Sequence, residues 1–339
     1  GPTRIEPFCR ERPRPTPPMY NSACFFRIAD DFVLPDLEAL ERVLQKARFV
    51  PCGPTQPESS GWVPPRGNKS KQLAELVGGQ LILKLCTEKR AVPSSAVQAA
   101  VEERVERYKA ETGNERVPAK VKKEFKEEVL LDLLPRASSK RAPTLLWLDA
   151  RMRLLVVDAG SLAGADRIVS SLLAALLEVP GAAPSLDLQL VQTQTSPAAS
   201  MAHWLSTREA PWRFTIDRDC ELKAADEQKS AVRYARHTLD IDEVAQHIAA
   251  GKVPTQLAMT WNDRASFVLT DAGQVRKLKF LDVVLKEAED GKGRNEDNFD
   301  ANAAILTGEL SELIPDLLEA RGGEMTAGEA AAVAQAERA

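Results

Sequence analysis

The chain has 339 residues, 44% of them hydrophobic and only 5% aromatic, enough for a substantial core built on Leu, Val, Ile and Ala and for two or three domains. Its 45 Lys and Arg against 49 Asp and Glu give a formal net charge of −4, which taken whole argues against a nucleic-acid binder. No apolar run reaches the roughly 20 residues needed to span a bilayer, no secretory signal is visible, and five scattered cysteines never spaced C-x-x-C read as reduced thiols of a cytosolic protein.

The first 18 residues are rich in proline and lack a hydrophobic period, so 1–18 reads as an unstructured leader in which Gly1-Pro2 resembles a tag-cleavage remnant and Met19 a start. A first α/β part covers 19–93. In it "NSACFFRI" reads as a strand, Pro35-Asp36 opens an amphipathic helix, "RFVPCG" reads as a short strand entering a Pro/Gly-rich loop, and "GQLILKLC" as another strand. Residues 94–143 form a helical hairpin. Its first helix starts with Ser94 or Ser95 as cap, Thr112-Gly113-Asn114 breaks it, and Pro118 opens a second helix that Pro135 ends. Val121, Phe125, Val129 and Leu133 recur at i+4 on that second helix.

The segment 144–190 continues the α/β body, with "TLLWLD" and "LLVVDAG" as a hairpin and a helix from Ala165 to Glu178. The part 191–324 opens on a polar, poorly patterned stretch. It continues as a three-stranded meander of "TQLAMTW", "ASFVLT" and "VRKLKFLDV", and closes on a helix pair in "NAAILTGELSELIPDLLEARGG". Residues 325–339 are an Ala-rich, frayed tail. Strands and helices are partly segregated, which favours an α+β fold.

Catalytic constellations are missing. "GWVPPRGNKS" departs from a phosphate loop because five residues separate its glycines, Asn68 precedes Lys69, and Pro64 and Pro65 lack amide donors. The three histidines make no metal-ligand spacing, and no G-x-S-x-G elbow occurs. No cofactor is implied. The acids of "LDID" and "RNEDNFDAN" leave open a metal-dependent nuclease, and the acidic tail leaves open a protein-binding scaffold.

Positive charge is placed more regularly. From Leu281 onward the net charge is −9, which leaves +5 for residues 1–280 out of the total of −4. Lys120, Lys122, Lys123 and Lys126 lie off the apolar stripe of the second hairpin helix, interleaved with acids that also fit a solvated, ion-paired face. Arg136, Lys140 and Arg141 follow in a segment, "PRASSKR", that reads as an acid-free loop in which Lys140 and Arg141 have no local duty. Arg233, Arg236 and His237 cluster in "VRYARH", and Lys252 follows a helix end. In "QVRKLKF", a pleat that buries Val275 puts Lys277 and Lys279 on its face and Arg276 on the other. Clusters without a base-reading motif point to phosphate contact rather than sequence readout.

In order along the chain, "RFVPCG", "GWVPPRG", "AVPSSAV", "EEVLLDLLPRA", "TLLWLD", "HIAAGKVPTQLAMTW", "LKFLD" and "FDANAAILTGELSELIPDLLEARGGE" resemble the bacterial recombination-associated RdgC family, over roughly Met19 to Glu324. The resemblance implies an elongated, curved α+β subunit with a projecting helical hairpin, paired into a closed ring-shaped homodimer. It implies sequence-nonspecific binding of duplex, and potentially single-stranded, DNA, nucleoid association in the cytoplasm, antagonism of the RecA recombinase, and no enzymatic activity, cofactor or membrane. Carried over by position, Arg136, Arg233, Arg236, Lys252, Arg276, Lys277 and Lys279 are the DNA-facing bases. Phe125, Leu134, Pro135 and Ser138 belong to the tip that meets a second subunit. Ser138 and Ser139 stand where relatives can carry an aromatic, and His237 where they can carry an amide.

Overall fold

The computed structural model describes residues 20–181, 188–226, 228, 230–290 and 298–339. The leader therefore lies outside the described residues. In chain order the first half runs β1 (Cys24–Ile28), α1 (Leu37–Lys46), β2 (Glu58–Trp62), β3 (Glu75–Val77), β4 (Gln80–Ala91), α2 (Ser94–Thr112), α3 (Ala119–Leu133), β5 (Ser138–Asp149), β6 (Leu154–Val157), α4 (Leu162–Leu177) and β7 (Leu188–Leu190). The second half runs α5 (Pro197–Thr207), β8 (Phe214–Ala224), β9 (Ala231–Tyr234), α6 (Asp242–Ala249), β10 (Lys252–Trp261), β11 (Ala265–Thr270), β12 (Val275–Phe280), α7 (Asp282–Asp290), α8 (Asn298–Ala320) and α9 (Ala327–Arg338). The strands form two antiparallel sheets, ordered β2-β4-β5-β6-β1-β7 with β3 also on β4, and β12-β11-β10-β8-β9. The fold is α+β.

The first sheet is covered on both faces, which is why β4 and β5 read as almost unbroken apolar runs. Leu81, Leu83 and Leu85 pack with α1 and α4, while Ile82, Leu145 and Trp147 turn the other way. There they share one core with the inner face of the second sheet and with α5 and α8. The sheets also touch directly: the Ala23 amide donates to the Val275 carbonyl at 2.7 Å, and Val275 returns the bond at 3.1 Å.

Several expectations change. "RFVPCG" is not a strand. Only Arg48 bridges, in parallel, to Trp62, and the chain passes so close to Gly61 that a Cβ there would lie 2.4 Å from the Phe49 Cα. Glycine in "GWVPPRG" thus serves a backbone crossing. Neither Ser94 nor Ser95 caps α2, whose cap is Pro93. The α4 helix begins earlier than expected, at Leu162, where the Ser161 hydroxyl accepts from the Gly164 amide at 3.1 Å. The polar stretch after 190 contains α5, capped by Ser196, and β8 and β9 carry too little alternation to be seen in the sequence.

The closing helix pair is one helix. Pro315 lies inside α8 without dividing it. Leu313, Ile314 and Leu317 around it are wholly buried, and burying three such side chains at about 1.5–3 kcal/mol each outweighs the ~3 kcal/mol of an interior proline. The Ala-rich end forms α9, started by a reciprocal capping box between Thr326 and Glu329, although none of its residues is buried. "PRASSKR" is not a loop either. After a tight turn over Leu134–Arg136, Ser138 to Arg141 begin β5 and pair with Ala91 to Glu88 of β4. This end of the ladder runs past the core, so its side chains are exposed on both faces and the residues show no alternation.

Candidate nucleic-acid interface

The second sheet buries Phe214, Leu222, Leu257, Met259, Phe267, Val275 and Leu278 against the shared core. Its other face holds Glu221 and Lys223 of β8, Gln256 and Thr260 of β10, Ser266 and Val268 of β11, and Arg276 and Lys279 of β12, none of them in an apolar cluster. Arg276 stands opposite Val268 and Lys279 opposite Ser266. Two residues of β12 intervene against one of β11, so the strand bulges, with Lys277 at a φ of 51°. The bulge resets the pleat: Val275 and Leu278 both point inward, and Arg276 and Lys279 share the outer face. The expected separation of Arg276 from Lys279 is thereby corrected. Lys277 and Lys279 are exposed, and neither they nor Arg276 has an ion-pair partner among the described residues.

At the opposite edge of this face Lys223, Arg233 and Lys252 have work inside the chain. Glu221 is buried, yet it receives Thr255 Oγ1 at 2.7 Å, Arg233 Nε at 2.5 Å and Lys223 Nζ at 3.1 Å. Burial raises the cost of its charge, but the three donors outweigh that and pull its carboxyl down to about 2. Arg236 has a φ of 54° and gives its amide to Asp219, while its side chain is exposed. The His237 amide donates to the Arg218 carbonyl, and its ring lies 6.0 Å from that of Tyr234. Lys252 donates to the Ser230 hydroxyl at 3.2 Å. Lys223 escaped the sequence reading because β8 itself did.

The helices α2 and α3 lie side by side. Arg104 pairs with Glu128 and Asp132, and Tyr108 meets Phe125 edge-on with ring centres 6.0 Å apart. Lys120, Lys122, Lys123 and Lys126 are all exposed, and Lys123 lies 3.9 Å from Glu127. Of the tip residues, Phe125 is held by Tyr108 and Leu134 is buried, whereas Pro135 and Ser138 are exposed. The exposed apolar side chains near this end are Leu130 and Leu131. Arg136 is exposed in the turn.

Lys140 and Arg141 prove unalike. Arg141 reaches Glu88, buried on β4, at 3.1 Å and lies over the Phe49 ring at 5.1 Å. A hydrogen bond from Ser139 first, and then Arg141, lowers the Glu88 carboxyl. The expectation that Arg141 has no local duty is overturned. Lys140 faces the other way, opposite Lys89.

The described acids among those considered for metal chemistry are engaged elsewhere. Asp240 and Asp242 pair with Arg208, and Asp300 with Arg66 at 2.6 Å. Glu296 and Asp297 lie outside the described residues. Among the described residues no group of three or more His, Cys, Asp or Glu could hold a metal. Cys24 and Cys220 are buried, and burial pushes their thiols up to about 11 and 12, far from a reactive thiolate. No helix among the described residues is long and apolar enough to cross a membrane.

Residues 19–324 match the family model described as "Putative exonuclease, RdgC". The chain is 43% identical over 294 residues to the recombination-associated protein RdgC of Dechloromonas aromatica, covering 86% of this chain and 93% of that protein. It is 42% identical over 291 residues to the RdgC of Cupriavidus necator, covering 86% and 94%. To the RdgC of Bordetella pertussis it is 37% identical over 288 residues, covering 85% and 93%.

Proposed function

Because this chain belongs to the RdgC family of recombination-associated proteins, we propose that it binds DNA without sequence preference and thereby restrains RecA-dependent recombination. The observation that carries the reading is the outer face of the second sheet. Arg276 and Lys279 are brought together there by the bulge at Lys277, with no carboxylate partner among the described residues, beside the small side chains of Ser266 and Val268. Such a surface suits phosphates, which supply affinity and position without sequence information. In this reading the subunit is elongated and curved, and two copies close a ring around duplex DNA. The helices α2 and α3 form the projecting arm. Leu130, Leu131, Pro135 and Ser138 supply the contact with the second copy, and Lys120, Lys122 and Lys126 line the approach. The protein is nucleoid-associated and non-catalytic.

Supercoiled and linear plasmid incubated with the protein and Mg²⁺ tests this. An intact, retarded band and a dimeric mass by light scattering are expected. Nicking or end-shortening would replace the reading with nuclease chemistry, and a monomer that leaves the plasmid unshifted would favour a protein-binding scaffold.

A further inference from the structure

Where the first sheet runs past its core on the α4 side, three strands set a row of charge across one face. Glu58 of β2 stands opposite Lys89 of β4, and Lys89 opposite Lys140 of β5. Like charges directly opposed across a ladder repel. Lys89 Nζ lies 3.6 Å from Glu58, and Arg167 of α4 reaches the same carboxylate at 4.0 Å. One acid is therefore shared between two cations, and Lys140 has no ion-pair partner among the described residues.

These side chains line a groove of about 600 Å³ between the strands and α4. Its walls also carry the hydroxyl residues Ser60 and Thr144, and the first turn of α4 opens onto it. The second acid there, Asp158, is occupied: its Oδ1 accepts the Ser22 and Asn21 amides at 2.9 and 3.2 Å. The two lysines face one another across the ladder, solvent-exposed and screened, beside a single carboxylate that Arg167 also reaches. A tetrahedral anion between them would relieve that repulsion and accept from the hydroxyls.

We infer that this groove binds a phosphate group, held by Lys89, Lys140 and Arg167. Phosphate reaches such a place as part of a DNA backbone or as a free polyphosphate, and both present the same oxygens. The site lies on the first sheet, so the inference stands separately from the reading of the second sheet's face.

The test compares wild type with Lys89→Gln combined with Lys140→Gln, and with Arg167→Gln alone on a different element. Removing the opposed charges should leave the melting temperature unchanged or higher. Inorganic triphosphate should raise the wild-type melting temperature and not that of the double variant, since only a ligand bound to the folded state stabilises it. The slope of log affinity for duplex DNA against log salt should flatten by roughly one to two units in the double variant. A lost triphosphate shift with an unchanged DNA slope identifies free polyphosphate as the source, and a flattened slope identifies the DNA backbone. A wild type that binds triphosphate but no DNA removes the proposed function and leaves the groove. Identical triphosphate responses and identical DNA slopes across all three proteins overturn the inference.

Discussion

Arg233 and Arg276 stand at opposite edges of one sheet face, on β9 and β12, and the sequence places both in short basic clusters. Only one is free. Arg233 faces a buried carboxylate that it helps to keep charged, whereas Arg276 faces Val268. The first sheet repeats the contrast between neighbours: Arg141 neutralises Glu88, and Lys140 meets another lysine. In both comparisons the engaged base stands directly across the ladder from an acid and the other does not, and the register decides that.

The contrast can be broken most forcefully by charge reversal at Arg233. Arg233→Glu sets a second carboxylate against Glu221 and should cost about 1–3 kcal/mol in urea unfolding, toward the lower end because the guanidinium is largely exposed. Arg276→Glu should stay within about 0.5 kcal/mol of wild type. Equal losses would erase the distinction.

The converse measurement is DNA affinity. Arg276→Ala with Lys279→Ala should weaken binding about tenfold or more and flatten the salt slope by roughly two units, at about −0.9 per lost phosphate contact. It should do so alike for all sequences. An unchanged slope would take β12 out of the DNA path.

On the first sheet, Arg141→Glu should lower the thermal midpoint by several degrees more than Lys140→Glu, since only the former leaves buried Glu88 facing a like charge. Matching midpoints would show that the Arg141 pair is merely a surface contact.

A further effect is in pH. The folded-state carboxyl of Glu221 is held down to about 2, below its unfolded value. Its contribution is therefore present above the unfolded value and is lost as pH falls through about 4.5 toward 2. Glu221→Gln should be less stable than wild type at pH 7, and the gap should narrow across that window. A gap that stays constant would show that the charge of Glu221 contributes nothing.

Much of the layout was legible in the residues. The meander of β10 to β12 follows from alternation and from turn residues, with Asn262 and Asp263 both at positive φ and Gly273 at 79°. The two helices after Ser94 follow from the break at Gly113, from the stripe of the second helix and from Pro118. The strand β8 was not legible, because Glu221 and Asp217 stand on a face bonded to Thr255 and Thr260 of another strand, and such pairing leaves no local period. Of the candidate interface, residue order located the basic segments, while the family resemblance rested on ordered segments such as "GWVPPRG", "AVPSSAV" and "TLLWLD".

By itself the sequence determined the α+β class, the basic body hidden under an acidic end, and the positions of most cations, because these depend on local period and on counting. Only the tertiary structure decided which cations are free. That choice rests on the bulge that carries Arg276 to the side of Lys279, and on the ladder that sets Arg141 beside Glu88 and Lys140 against Lys89. Each depends on a partner strand remote in the chain, and shifting the pairing by one residue would exchange the two faces.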